Sequence, residues 1–177
     1  MNFMPRDAII AKNRFIQIVV FFSLVFFGFV WVTGLLLYVE KIGFTPASVK
    51  AYYLGSEEEF RNPISYLGLL EITHFHFFAY GLSLLLLNHL MLFLPLSGGL
   101  KLFVVVVSFF SGLVNISAGW FIRYVSPQFV YLKIGSFILF YLSFLALLLL
   151  SFFAMARFRR GSAENQGEKE EIESVSR

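Results

Sequence analysis

The chain contains no cysteine and few charged residues, since Asp, Glu, Lys and Arg make up only 14% of its 177 residues. The lack of cysteine excludes structural disulfides, thiolate zinc sites, iron–sulfur clusters, covalently attached c-type haem and thiol redox chemistry. The low charge is far from that of a soluble domain, in which about a quarter of the residues are charged. The sequence also lacks a Walker loop, a dinucleotide glycine motif, a zinc-protease motif and a nucleophile elbow. We therefore do not expect a soluble-type enzyme.

Hydrophobic residues make up 58% of the chain and are concentrated in four long runs. A helix needs about 20 residues to cross a hydrocarbon core of ~30 Å. Four runs reach this length, and they cover residues 15–39, 66–94, 100–122 and 129–156. The sequence therefore predicts an all-α membrane protein, an antiparallel bundle of four transmembrane helices that forms one domain over residues 1–160.

A short additional helix is predicted in the loop between the first two runs. Thr45 and Pro46 form a helix-start signal, and Gly55 is a stop signal one turn after Ala51. Tyr52 and Tyr53 suit the headgroup level of a bilayer, where an aromatic body and a polar tip are both accommodated. We expect this interfacial helix to cover one mouth of the bundle.

The composition changes abruptly after Arg160, to Gly, Ser, Asn, Gln, Glu and Lys. A segment of this kind has almost no apolar side chains to bury, so burial cannot offset the entropy lost on ordering it. The sequence therefore predicts that residues 161–177 form a disordered cytoplasmic tail.

The distribution of basic residues predicts how the chain is oriented in the membrane. One side carries basic residues close to the ends of the runs, namely Arg6, Lys12, Arg14, Lys101, Arg157, Arg159 and Arg160. The other side carries Lys41, Lys50, Arg61, Arg123 and Lys133, diluted over a longer loop that also holds Glu40 and Glu57–Glu59. By the positive-inside rule the first side is cytoplasmic, with both termini, and we expect the bacterial inner membrane. Topology thus explains the formal charge of +3, and no nucleic-acid partner is expected.

Ionisable residues within the membrane are concentrated in the second run, which holds all three histidines. Such residues are costly in hydrocarbon and therefore mark candidate functional sites. On a helix with about 100° per residue, Glu71, His74, Gly81, Asn88 and His89 form one stripe, and His76 falls on the other side. His74 and His89 lie about 22 Å apart along the axis, so that one is near each leaflet.

The third run carries a stripe of small and polar residues at steps of three and four. Its members are Ser108, Gly112, Asn115 and Gly119, and Arg123 continues it. Small residues allow two helices to approach closely. We predict that this stripe packs against the stripe of the second run, and that Glu71, Asn115 and Arg123 form a buried polar cluster or proton relay.

The spacing of His74, Gly81 and His89 resembles that in the ligand helices of small four-helix transmembrane b-type cytochromes. The resemblance covers these positions and the four-helix architecture, and it implies one haem b near each leaflet with the glycine making room for the porphyrin. The other runs contain no histidine, so a homodimer or a partner protein would have to supply the remaining axial ligands. This hypothesis makes the chain an electron-transfer subunit that reacts with a quinol.

Two alternatives remain open. Glu71, His74 and His76 lie within two turns and are candidate ligands of a metal ion or a quinol head group, although the rings of a His-x-His pair point roughly opposite ways on a helix. The polar residues can also be structural, with Glu71 paired to Arg123 and the histidines hydrogen-bonded across the bundle. The chain is then a non-catalytic accessory or scaffold subunit of a larger membrane complex, with its phenylalanine-rich surface against lipid or partner helices.

Overall fold

The structure, a computed structural model, describes the backbone of residues 14–175 and the side chains of residues 14–156. It contains the helices α1 (Arg14–Lys41), α2 (Pro46–Leu54), α3 (Tyr66–Met91), α4 (Gly98–Tyr124) and α5 (Val130–Val175). A single 3₁₀ turn, Pro127–Phe129, leads into α5. The described residues form no β-strand, and the loop after α2 contributes only an isolated bridge between Ser56 and Arg61. The predicted all-α fold is confirmed.

Four segments are long and apolar enough to cross a membrane, namely α1, α3, α4 and Pro127–Ala156. The predicted spans agree with them to within a few residues at each end. Serine caps define where two of these helices begin. The side chain of Ser65 accepts a hydrogen bond from the amide of Gly68 in α3, and that of Ser97 accepts one from the amide of Leu100 in α4. A serine at this position satisfies an amide that the first turn of a helix leaves without a partner.

The predicted short helix is present as α2, and its ends are the predicted ones. Thr45 accepts a hydrogen bond of 3.0 Å from the amide of Ser48, and Pro46 occupies the first turn. Gly55 ends the helix with a φ of 85°, which a residue with a side chain rarely adopts.

One side of α2 is buried against the end of the bundle. Val49 and Tyr53 are almost fully buried, and they pack with residues of α3, α4 and α5, namely Leu69, Ile122 and Val130. The helix α2 therefore covers one end of the bundle, as the sequence predicts.

Helix α5 is at the centre of the bundle, because α1, α3 and α4 all pack against it. Helix α3 also packs against α4, whereas α1 packs mainly on α5. The main core joins Leu24 of α1 with α3 and α5 residues that include Leu84, Leu87, Phe144 and Leu147. Because α1 and α3 both pack on α5 without extensive contact with each other, a cleft lies between them.

Hydrogen bonds between side chains and neighbouring helices determine how the helices are rotated. Trp120 of α4 donates to the hydroxyl of Thr73 in α3 (2.8 Å), and Trp31 of α1 donates to the main-chain oxygen of Tyr141 in α5 (3.1 Å). In a bilayer such bonds and close packing hold helices together, since lipid is as apolar as the helix surfaces.

Helix α5 extends well beyond its membrane segment, to Val175. The structure thus differs from the expectation of a disordered tail over residues 161–177. Glu, which is the most frequent residue there, favours helix, and extending an existing helix avoids the cost of nucleation. Residues 176–177 lie outside the described residues, as do Arg6 and Lys12, which contribute to the predicted orientation.

Candidate binding cavity

The predicted stripe of α3 faces away from the bundle. Glu71, His74 and His89 are exposed, and a Cβ built on Gly81 meets nothing within 4 Å. The opposite side of α3 is the buried one, with Leu69, Thr73, Ser83, Leu84, Leu87, Asn88 and Met91. The expectation that the stripe packs against α4 is therefore wrong for Glu71, His74, Gly81 and His89, whereas Asn88 is buried and donates to the hydroxyl of Ser108 in α4 at 3.2 Å.

The positions of these residues along α3 explain how they can face outward. Glu71 and His74 lie about 8 and 12 Å from the first residue of the helix, and His89 lies within its last turn. Ionisable side chains near a helix end can extend towards the headgroups, which lowers the cost of exposing them to lipid. Burial of the larger apolar and hydroxyl-bearing face then decides the rotation of α3.

The predicted cluster of Glu71, Asn115 and Arg123 does not form. Asn115 is buried and hydrogen-bonded to Lys133, while Glu71 is exposed. Arg123 donates through Nε to the main-chain oxygen of Ile64 at 3.0 Å. Its guanidinium therefore ties α4 to the loop before α3.

The small-residue stripe of α4 is buried as expected, but its neighbours differ from the predicted ones. A Cβ built on Gly112 would lie 3.1 Å from the ring of Phe140 in α5, and one built on Gly119 would lie 2.9 Å from the ring of Tyr53 in α2. The stripe thus receives aromatic rings from α5 and α2, and Asn88 is the member of the α3 stripe that bonds to it, through Ser108.

The predicted haem ligands do not converge within one chain. His74 and His89 lie on the outer side of α3, where no described helix packs against them, so a haem does not fit inside the monomer. The candidate metal ligands Glu71, His74 and His76 are not brought together either. Among the described residues no group of three His, Cys, Asp or Glu side chains is arranged to hold a metal ion.

His76 faces the other way from the stripe and lines a cavity of about 610 Å³ between α1, α3 and α5. Its Nδ1 lies 2.7 Å from the main-chain oxygen of Ile72, and its ring packs edge-on against Tyr80. Helix α4 contributes Asn115 to the wall, and α2 contributes Tyr52 and Tyr53. The volume is typical of small-molecule sites, which measure about 300–1,000 Å³.

Lys133 marks the polar end of this cavity. It is only 7% exposed, and its Nζ donates to the main-chain oxygen (2.9 Å) and to Oδ1 (3.1 Å) of Asn115. A lysine ammonium has three donors, so one N–H of Lys133 has no partner among the described residues. The ring of Tyr53 lies 6.0 Å from Nζ.

No described carboxylate neutralises Lys133. Among the described side chains the ion pair found is Arg61 with Glu59, at 3.8 Å in the loop after α2. The residues that line the cavity include Lys41, Lys133 and His76 but no Asp or Glu. The ionisable side chains of the cavity are therefore all basic or phenolic, and they lie in surroundings of low polarity.

Besides Tyr52, four tyrosines line the cavity, namely Tyr38, Tyr53, Tyr80 and Tyr141. Tyr38 is 6% exposed, and its buried hydroxyl has no hydrogen-bond partner. The other three hydroxyls do not donate to any described residue. A buried polar group without a partner costs about 1–3 kcal/mol, and an acceptor within the cavity would remove this cost.

Two of the tyrosines that line the cavity, Tyr52 and Tyr53, come from the capping helix α2. Burial raises the pKa of Tyr53 above its ordinary value, and it also raises the pKa of Tyr52, which the nearby charge of Arg61 partly offsets. Both phenols therefore remain protonated at neutral pH, so that they are available as hydrogen-bond donors.

The lining changes from polar to aromatic along α5. Lys133, Phe137, Phe140 and Phe144 recur at steps of three and four residues, which places them on one side of the helix. The distance from Lys133 to Phe144 along the axis is about 16 Å. Tyr38 stacks on Phe137 with ring centroids 3.5 Å apart, which closes the wall formed by α1 and α5.

The cavity reaches the outer surface of the bundle between α1 and α3. Val30 and Leu37 of α1 and Phe75 of α3 line it and are also 52%, 55% and 68% exposed. In a bilayer these side chains meet the acyl chains. The cavity is therefore amphipathic and opens sideways.

A family model for a transmembrane helical domain, Aq_1264_TM, matches residues 43–162, which is more than half of the chain. The chain belongs to this family. It is thus an integral, multi-pass membrane protein whose helices contact the lipid bilayer. The matched range includes Tyr53, His76, Asn115 and Lys133, whereas the wall formed by α1 precedes it. No curated protein and no solved structure matches the chain significantly.

Sequence reasoning assigned Lys133 to the charges of a loop and did not identify it as a cavity residue. One signal was present, because Lys133 begins the aromatic series Phe137, Phe140 and Phe144 on one side of the last span. A lysine in line with aromatic residues at helical spacing indicates a polar end to an apolar surface. The helical positions of His76 and Tyr80, opposite the stripe of Glu71, were a second signal.

Proposed function

We propose that this protein binds one amphipathic, lipid-like molecule in the cavity between α1 and α3. The observation that carries the proposal is a cavity of about 610 Å³ whose lining includes Lys133, which has one N–H without a partner, and Tyr38, whose hydroxyl is buried and unpartnered. Buried polar groups are normally hydrogen-bonded, so an exception in a cavity wall is explained by a ligand that supplies the acceptor.

The sideways opening supports entry from the membrane. A ligand that reaches the cavity between Leu37 and Phe75 has to be soluble among acyl chains. Its apolar part would lie along Phe140 and Phe144, and its polar part would lie near Tyr53 and Lys133. A lipid or a lipid-soluble carrier has this division into a head and a tail.

The charge pattern favours the outer leaflet for the ligand head. Lys101 lies at the start of α4, at the end of the bundle opposite α2, and the sequence places it on the cytoplasmic side. The cap formed by α2 and the polar end of the cavity then face the outside of an inner membrane. The protein on this proposal holds a molecule drawn from the outer leaflet.

A matched pair of substitutions tests the proposal. Ala79 lines the cavity, whereas Ala146 is exposed on the outer side of α5 and does not line it. Ala79→Phe fills the cavity, so we expect native mass spectrometry of the purified protein to show loss of a bound amphiphile that the wild type and Ala146→Phe retain. Wild-type protein that carries no amphiphile after purification in mild detergent and incubation with membrane lipid extract would contradict the proposal.

The identity of the retained molecule also tests the quinol hypothesis. A quinone ring has carbonyl oxygens that accept hydrogen bonds, and the tyrosine hydroxyls and aromatic walls suit it. Recovery of a quinone from the wild type, but not from Ala79→Phe, would assign the chain to electron transfer.

A second candidate function, that of an accessory subunit, is favoured by the outward stripe of α3. Glu71 and His74 face the lipid side, and a partner helix that covers them would lower the cost of their exposure. We expect Glu71→Leu with His74→Leu to lose a partner that co-purifies with the wild type. A second copy of the chain at this face is the arrangement that would pair His74 and His89 with their symmetry mates, and a haem absorption band lost in His74→Ala would identify it.

A further inference from the structure

The charges around the cavity indicate which kind of head group it accepts. The lining contains two lysines and a histidine but no acidic side chain, and the tyrosines add hydroxyl donors. The donors thus outnumber the acceptors. A ligand rich in acceptor oxygens and negative in charge complements such a wall.

Lys133 is the residue on which this complementarity depends. Its Nζ is held 2.9 and 3.1 Å from two oxygens of Asn115, and those neutral oxygens supply no counter-charge for the ammonium form. Burial of a charge without a counter-charge is strongly unfavourable. An anionic oxygen at the remaining N–H would supply both the missing hydrogen bond and the missing counter-charge.

The neighbouring residues keep the ammonium in place. Asn115 and Lys133 form reciprocal bonds, because the amide of Asn115 also donates to the main-chain oxygen of Lys133 at 3.4 Å. The ring of Tyr53 closes the side towards α2. The ammonium is therefore oriented before a ligand arrives, which reduces the entropy lost on binding.

We infer that the head group is an anionic oxygen group, a phosphate ester or a carboxylate, and that Lys133 binds it with help from the hydroxyl of Tyr38. The inference rests on the proposed function, since it specifies the ligand of the same cavity. The positive character of Lys133 selects the anion, and the aromatic wall from Phe137 to Phe144 receives the first part of the acyl chain.

The experiment uses the full-length protein in detergent, exchanged against three lipids with identical acyl chains: phosphatidylglycerol, phosphatidylcholine and diacylglycerol. Native mass spectrometry then counts which lipid is retained. We expect phosphatidylglycerol to be preferred over diacylglycerol about tenfold or more, as for a charge-assisted hydrogen bond, and phosphatidylcholine, whose phosphate is accompanied by a choline cation, to be retained at an intermediate level. Lys133→Met should abolish the preference and Lys133→Arg should largely keep it. Lys50→Met should leave it unchanged, because Lys50 is exposed near the same end and does not line the cavity.

Tyr38→Phe provides a second variant that keeps the ring stacked on Phe137 and removes only the hydroxyl. We expect it to weaken retention of phosphatidylglycerol several-fold. Equal retention of the three lipids, unchanged by Lys133→Met, would overturn the anionic head group and leave the proposed function standing. Retention of none of them and of no other amphiphile would overturn both.

Inorganic phosphate distinguishes a lipid-borne anion from a free one. Thermal unfolding of the wild type and of Lys133→Met is compared with and without millimolar phosphate. We expect no protection by phosphate alone, because the aromatic part of the cavity contributes only to a ligand with a tail. Protection of the wild type alone, without retention of phosphatidylglycerol, would assign the site to a soluble anion and overturn the lipid ligand.

Discussion

Asn115 and Lys133 are hydrogen-bonded to each other at the end of the cavity near α2. Each residue supplies hydrogen-bond partners for the buried polar atoms of the other. Asn115 contributes two oxygens to the ammonium, and both residues are buried. The amide and ammonium groups lose their contacts with water on burial, so each needs the other's polar atoms. This pairing positions the charge that faces the cavity.

The pairing predicts non-additive effects on stability. Asn115→Leu leaves Nζ without its side-chain acceptor, and we expect a loss of about 1–3 kcal/mol in the free energy of unfolding. Combining it with Lys133→Met removes the charge that needs the acceptor, so the double variant should be more stable than Asn115→Leu. Unfolding of purified protein in mixed micelles measures these differences, and additive costs of the two substitutions would show that the residues are not coupled.

At the scale of elements, the position of α2 depends on glycine in α4. Tyr53 of α2 lies against Gly119, and its ring also faces Lys133. An aromatic ring can approach the α4 backbone this closely only because Gly119 has no side chain. The docking of α2 and the shape of the polar end of the cavity are therefore linked.

A glycine pair tests this link. Gly119→Ala places a methyl group 2.9 Å from the ring of Tyr53, and we expect a loss of about 1–3 kcal/mol in stability because the ring and α2 must move. Gly135→Ala is the matched control, since it makes the same change within a helix and meets nothing within 4 Å. Hydrogen exchange of the α2 amides should accelerate in Gly119→Ala alone. Equal exchange in both variants would show that the contact does not hold α2.

At the scale of the whole molecule, four spans place both ends of the membrane domain on the same side. The loop between α1 and α3 and the turn before α5 then lie together on the opposite side. The charges near the ends of the spans predict which side is the cytoplasm, and this orientation is what assigns the polar end of the cavity to the outer leaflet.

The absence of cysteine makes the orientation directly measurable by labelling. Glu58→Cys changes a residue of the exposed loop after α2, and Gly98→Cys changes the exposed first residue of α4. With a membrane-impermeant maleimide we expect Glu58→Cys to react in intact spheroplasts and Gly98→Cys to react only after permeabilisation. The wild type, which has no thiol, provides the background. The reverse labelling pattern would show that the protein has the opposite orientation, with the polar end of the cavity in the inner leaflet.

The four spans and the α2 helix were predictable because they follow from local properties of the chain. An apolar run of about 20 residues crosses a bilayer whatever its neighbours are, and Thr45, Pro46 and Gly55 define a short helix by backbone chemistry. The tail after Arg160 was less predictable, since its composition suits both solvated chain and the extension of an existing helix.

The rotation of each helix was decided only by the tertiary structure. In water the apolar side of a helix turns inward, but in lipid an apolar exterior is as well solvated as an apolar interior, so the pattern of α3 did not reveal its buried face. The free-energy cost of placing ionisable side chains in lipid predicts that Glu71 and His74 face the interior of the bundle. In the structure the packing of Thr73, Leu84 and Leu87 turns them outward instead. Local features of the chain are enough to predict how many times it crosses the membrane and approximately where each helix begins. Contacts among α1, α3, α4 and α5 determined that Lys133, Asn115 and Tyr38 share one cavity, because residues so distant in the chain meet only through packing.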